Sequence, residues 1–316
     1  MIPTSIDGTD ITGATIDGTD VQEITVDGDV VFSASQPKVY LLGGPRLGGD
    51  DIVEFDPVAD SAVTKTAKLP LDIYNACAAP VDGKIYHFGG TAGSQIDDIY
   101  EYDPSTDTIS TMSATLPQNI SQATAEAANG KIYHFGGDSG GEIDDIYEYD
   151  PSTDTISTMS VTLPKNIKQA STAAVNGKIY HFGGDSGGEI DDIYEYDPST
   201  DSISTMSATL PQNVRLADAA AANGKIYHVG GFSGSTIDDI YEYDPSTDTI
   251  STASATRQIR NNAVAGVDGK IYNLGGFNGS SVTDVIFEYD PSTDSVFNMS
   301  ATLPQAVGNA AIAIAG

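Results

Sequence analysis

One stretch, Gly130-Lys131-Ile132-Tyr133-His134-Phe135-Gly136-Gly137, recurs in close copies six times along the chain. IYHFGG stands at 85–90, 132–137 and 179–184, IYHVGG at 226–231 and IYNLGG at 271–276, and VYLLGG at 39–44 is a worn first copy. The second Gly of each pair falls at 44, 90, 137, 184, 231 and 276, so the steps are 46, 47, 47, 47 and 45 residues. A fixed period of this size is the signature of a repeat architecture. Each unit is too small to bury a core of its own and must stack on its neighbours.

Within one period every run reads as strand. In residues 123–164, a small apolar run (strand a) ends at the Asn129-Gly130 turn. KIYHF (strand b) ends at Gly136-Gly137, and a Gly/Ser/Asp loop leads to IDDIYEY (strand c). The Asp150-Pro151-Ser152-Thr153-Asp154 turn, with Pro where φ near −65° is wanted, leads to TISTMS (strand d). Short β runs separated by turn signals at this spacing indicate an all-β unit, and Asn-Gly between two of them is a hairpin signal. The Ala-rich runs 122–128 and 217–222 have high helix propensity, but they are too short for a stable helix and the repeat overrides them.

Four-stranded units repeated radially form a β-propeller, with the small-residue strand innermost. The first unit begins at Val39 with strand b and lacks a strand a, whereas the chain ends on NAAIAIAG, a strand a without a strand b. The expected fold is therefore all-β. It is a six-bladed propeller over 38–316, closed by the C-terminal strand joining the first blade, preceded by a short β-repeat segment and linker over 1–37.

The paired Gly after IYxF, the DDIYEYDPSTD run about ten residues on, and the period together resemble the kelch repeat over residues 39–316. The resemblance implies a six-bladed kelch propeller. One departure is that kelch repeats usually carry Trp after the c–d turn. Here the positions hold Ala62, Ile109, Ile156, Ile203, Ile250 and Val296, and the chain has no Trp, which predicts weaker packing between blades.

Residues 5–14, 15–24 and 25–34 are three copies of a ten-residue unit, with turns expected at Asp7-Gly8, Asp17-Gly18 and Asp27-Gly28. So short a segment has too little apolar surface to fold alone. The reading is a docking or oligomerisation segment, joined through the linker SASQPK (33–38). It resembles the leader of tail and other structural proteins of tailed viruses of salt-loving archaea. That resemblance implies a virion component with other virion proteins as partners of 1–37, and a homo-oligomeric assembly such as a trimer.

Composition agrees with a saline setting. There are 45 Asp+Glu against 14 Lys+Arg, a net charge of −31. At ordinary ionic strength such a domain repels itself, but in molar salt the Debye length is ~3 Å. The acids are spread over every repeat, as in whole-surface halophilic adaptation, and no basic face exists to bind nucleic acid. No run of eighteen apolar residues and no basic-then-apolar N-terminus is present, so neither a membrane span nor a secretory signal is expected. The expected location is the virion, assembled in the host cytoplasm.

Catalytic constellations are missing. His87, His134, His181 and His228 share one repeat position, but on different blades ~10 Å or more apart, beyond the reach of one zinc ion. Asp97-Asp98, Asp144-Asp145, Asp191-Asp192 and Asp238-Asp239 are strand neighbours that point to opposite faces. Their loops offer at most weak Ca²⁺ or other cation binding, and no cofactor is expected. Kelch-type copper oxidases use a Tyr–Cys pair, and Cys77 on a small-residue strand gives that little support.

Recognition by a surface remains. The a–b and c–d turns emerge on one face and are nearly identical in every repeat, whereas the b–c and d–a loops emerge on the other and vary. Every Arg lies on this loop face: Arg46, Arg215, Arg257 and Arg260. Tyr74, Phe232 and Phe277 join them, with Lys165 and Lys168. Arg and aromatics are enriched at binding hot spots, and Arg suits carboxylate or sulfate. The expected function is a non-enzymatic virion tail fibre or spike component binding a host-surface glycan or surface-layer glycoprotein. The alternatives are a glycan-modifying kelch-type epimerase or lyase and an intracellular interaction scaffold.

Overall fold

The computed structural model describes residues 36–44 and 49–316, together with the backbone of 5–6, 9–10, 23–26 and 29–33. Contacts divide the chain into two units, residues 1–37 with Gly316, and 38–315. In the first unit Ser5–Ile6 pairs antiparallel with Thr9–Asp10, and Glu23–Val26 with Asp29–Ser33. The three Asp-Gly turns expected there lie outside the described residues.

The second unit is a ring of six antiparallel four-stranded sheets, each in the order a-b-c-d. In blade 1 strand a is the C-terminal Ala311–Ala315, pairing with Lys38–Gly44, which is followed by Gly49–Asp56 and Ser61–Lys68. Blades 2 to 6 take their inner strands from Cys77–Val81, Thr124–Ala128, Ser171–Val175, Asp218–Ala222 and Ala263–Val267. Register across the closure is continuous, with Ala313 opposite Tyr40 and Ala315 opposite Lys38. The Ala-rich runs are strands, because each must lie against KIYHF and fit where the blades converge.

Hydrophobic cores form between blades. One cluster joins Val39, Leu41 and Phe55 of blade 1 to Ala265, Tyr272 and Leu274 of blade 6, and the other clusters repeat this arrangement around the ring. Aromatic pairs tie each layer. Tyr86 of strand b in blade 2 meets Tyr149 of strand c in blade 3 at 5.5 Å, and Tyr133, Tyr180 and Tyr227 repeat the contact onward. Phe55 against Tyr272 at 5.7 Å closes the circle. Each such pair adds about 1 kcal/mol beyond area burial. The Ile at the kelch Trp position lies half-buried beside this layer, so the Tyr and Phe pairs supply the aromatic packing between blades.

The last residue of each DPSTD turn fastens adjacent blades at the rim. Asp154, in the left-handed region (φ 50°), accepts hydrogen bonds from the Ser113 and Ala114 amides of the preceding blade and from the Tyr149 hydroxyl of its own. Asp107, Asp201, Asp248 and Asp294 repeat it, and Asp60 receives the Ser300 and Ala301 amides across the closure, at 2.9 Å each. Burial alone raises the Asp154 carboxyl, but these donors outweigh it and hold its pKa below the ordinary value.

A second circle closes the inner edge. The Gln122 amide donates to Asn75 O, Gln169 to Gln122 O, Leu216 to Gln169 O, Asn261 to Leu216 O, Asn309 to Asn261 O, and Asn75 to Asn309 O, at 2.8–3.1 Å. All six residues have φ between 51° and 58°. One residue per blade thus forms a closed ring of peptide hydrogen bonds around the mouth of the central channel.

The Gly-Gly pair is required by this packing. A Cβ on Gly136 (φ 55°) would lie 2.3 Å from Ile167 O, while the Gly137 amide donates to that same carbonyl at 2.8 Å. Replacing Asp154 with Ala removes one carboxylate that serves two amides and a hydroxyl. The expected loss is about 2–4 kcal/mol in urea unfolding at neutral pH. Gly136→Ala is expected to cost at least as much, by overpacking against backbone. An Asp154→Ala variant as stable as the parent would refute the clamp.

Candidate functional site

The loop ends of the blades extend the a–b ladder by one bridge each: Tyr74 with Thr91, Ser121 with Asp138, Lys168 with Asp185, Arg215 with Phe232 and Arg260 with Phe277. The position before strand a therefore points a side chain back over the preceding blade's b–c loop. In blade 4 Lys168 pairs with Asp138 (2.7 Å) and Glu142 (3.1 Å) of blade 3. In blade 5 Arg215 pairs with Glu189 (3.1 Å) and Asp185 (3.7 Å) of blade 4. In blade 6 the matching loop of blade 5 reads FSGST where its neighbour reads DSGGE, so Phe232 and Thr236 replace both acids.

Arg260 consequently lies between two rings, 4.8 Å from Phe232 and 4.6 Å from Phe277, and Arg215 covers Phe232 at 5.0 Å. The result is a ladder Arg215–Phe232–Arg260–Phe277 across blades 5 and 6. Each cation–π contact at a half-exposed site contributes about 0.5–1 kcal/mol. A guanidinium carries five N–H donors in a fork that suits bidentate contact with a carboxylate or sulfate. Every lysine is within salt-bridge distance of a carboxylate. Among the described residues only Arg257 and Arg260 are cations without an ion pair.

The other expected residues do not all join this ladder. Arg257 accompanies it in sequence only. Its amide donates to Asp238 O at 2.7 Å, the bond that Leu163 and Leu210 make in the blades before it. A two-residue deletion before Ile259 brings Arg in place of that buried Leu, and its guanidinium covers the Phe287 ring at 5.4 Å. Tyr74 is bridged to Thr91 at the loop end of blade 2. Lys165 pairs with Asp192 at 2.6 Å. Arg46 lies outside the described residues.

The repeated histidines lie between blades. His87, His134, His181 and His228 are 0–3% exposed. His134 rests against Phe88 of blade 2 and Tyr147 of its own blade, and neither of its ring nitrogens has a hydrogen-bond partner. Desolvation pushes their pKa values down to about 4, 3, 3 and 4 in chain order. Among the described residues no group of three or more His, Cys, Asp or Glu is arranged to hold a metal ion. Cys77 is buried, and desolvation pushes its thiol pKa up.

The comparisons with known proteins agree with this architecture. A family model described as the KLHDC2/KLHL20/DRC7 Kelch-repeats domain matches residues 30–231, and the Kelch motif matches 215–249 and 260–296. The chain belongs to the kelch-repeat family. Kelch propellers commonly bind protein partners and are typically interaction modules. No match was found among curated proteins.

Two acids in the channel of this kelch propeller escaped the sequence reading. Glu126 and Asp218 sit on the inner strands of blades 3 and 5. The only signal was an acid within an Ala run, TAEAA and DAAAA.

The buried histidines make acid sensitivity testable. Their folded pKa lies below the unfolded value, so their stabilisation is complete above about pH 6.5 and is lost as pH falls toward 4. At pH 5 each costs about 2 kcal/mol. Glu126 and Asp218, whose pKa values are raised, act oppositely and make the net slope shallower. His134→Leu/His181→Leu, with the residue blade 1 holds at Leu41, is expected to flatten the fall in thermal midpoint between pH 7 and 5. An unchanged slope would show that these imidazoles do not titrate with unfolding.

Proposed function

We propose that this kelch propeller is a non-enzymatic recognition module that grips an anionic partner through the loop face of blades 5 and 6. The observation that carries this reading is Arg260, which lies against both Phe232 and Phe277 and has no carboxylate partner among the described residues, in a chain of net charge −31. Fourteen cations against 45 acids leave few positive positions, and an unneutralised one stacked on two aromatics has the composition of a hot spot. Arg215 shares the Phe232 ring with it.

The finer reading is a virion tail or spike component of a halophilic archaeal virus, anchored through residues 1–37 and binding a host surface-layer glycoprotein or acidic glycan. The leader sequence and the whole-surface acidity support it. Sulfate or carboxylate on such a surface would supply the anion for Arg260. An interaction scaffold inside a cell is the second reading, favoured by the match to a kelch domain whose relatives bind protein partners.

The test is binding of the full chain to halophile envelope glycoprotein in molar salt. Arg260→Ala is expected to weaken binding at least about tenfold, on the order of 1.4 kcal/mol. Arg257→Leu restores the residue of the other blades and is expected to keep the fold while removing a cation that lies outside the ladder. Saturable binding that Arg260→Ala leaves unchanged would place the contact elsewhere. Absence of envelope binding together with capture of acidic host proteins would favour the scaffold.

A further inference from the structure

The central channel encloses about 410 Å³, and its wall mixes polar and apolar side chains. Blades 3, 4 and 5 contribute Glu126, Thr172 and Asp218, and blades 6 and 1 contribute Val264, Ile312 and Ile314 beside Asn262. Among the described residues no Lys or Arg lines it. Register places Glu126 opposite Tyr133, whose ring contacts Tyr196 of blade 4, so Glu126 faces blade 4. Thr172 is opposite His181, which contacts Phe135 of blade 3, so Thr172 faces blade 3. The two side chains thus share one gap between inner strands.

Their hydrogen-bonding capacity is largely unused. Thr172 is 6% exposed, and its hydroxyl has no hydrogen-bond partner among the described residues. Among the described residues Glu126 accepts only a 3.2 Å contact from the adjacent Ala127 amide on Oε1, and none of them donates to Oε2. Asp218 accepts the Ala219 amide at 2.9 Å and the Val264 amide at 2.7 Å, so it holds blades 5 and 6 together at the channel wall. Desolvation pushes Glu126 up to about 8 and Asp218 up to about 7.

We propose that the channel binds a small organic ammonium ion. Its charged nitrogen would contact Glu126 and the Thr172 hydroxyl, and its hydrocarbon would contact the Val264, Ile312 and Ile314 wall. An ammonium carries three donors, which suits a free carboxylate oxygen and a hydroxyl close together. An inorganic cation would leave the apolar wall unused, and among the described residues no metal-ligating group of three is present. An anion would meet carboxyls and no cation. Apolar lining with a few convergent polar groups is the general form of a small-molecule site. This site is separate from the loop-face reading above. When the ammonium binds, the Glu126 carboxyl gives its proton to buffer and the carboxylate pairs with the ligand.

The test is isothermal titration of the full chain with phenethylamine at pH 7 in molar KCl, with 2-phenylethanol as the neutral control. One-site binding is expected, accompanied by proton release seen in two buffers of different ionisation enthalpy. Binding should be at least about tenfold weaker for folded Glu126→Gln and weaker for Thr172→Val. Arg260→Ala should bind the amine like the parent. No binding at millimolar amine, equal binding of 2-phenylethanol, or equal binding by folded Glu126→Gln would each overturn the proposal.

Discussion

Blade-to-blade adhesion is the constraint on which everything else in the propeller depends, because no blade holds a core of its own. Three concentric contacts supply it. At the rim, the left-handed Asp of each DPSTD turn takes two amides from its neighbour's strand d. At mid-radius, Tyr or Phe pairs fill the layer. At the channel mouth, six left-handed residues join in a circle of peptide hydrogen bonds. Each circle closes through the pairing of first and last strands, so the ring is bound into one cooperative body.

This division of labour explains why one face is uniform and the other is not. The turn residues are committed to the rim clamps: Asp103 caps Ser105, Asp107 reaches the next blade, and the same pattern recurs around the ring. A change there loosens an interface. The b–c loops carry fewer such duties, so their side chains can diverge without loosening the ring. Blade 5 shows the outcome, since exchanging an Asp and a Glu for Phe232 and Thr236 turns an ion-pair rung into an aromatic one and leaves Arg260 with no ion pair among the described residues.

Much of this was legible in the sequence, for a physical reason: strand period, turn chemistry and repeat length are local, and the incomplete first and last units name each other as partners. Arg215, Phe232, Arg260 and Phe277 were also legible as departures from a repeated loop, although the sequence did not reveal that Arg215 belongs with the other three. What could not be read depends on three-dimensional closure. Asn75, Gln122, Gln169, Leu216, Asn261 and Asn309 share a backbone conformation and not a residue type, and Leu216 in the left-handed region defies propensity. Arg257 was obscured by the deletion that moves it into a leucine's place. Glu126 and Asp218 were hidden in alanine runs whose register against the channel only the assembled ring defines.

The central claim is that the variable loop face meets the partner while the uniform turn face holds the ring. Hydrogen–deuterium exchange of the full chain, with and without halophile envelope glycoprotein in molar salt, reads this directly by location. The account predicts protection on binding confined to segments 230–237, 256–262 and 277–283. Protection centred instead on the DPSTD turns at 103–107, 150–154 and 197–201, with the loop segments unchanged, would contradict it.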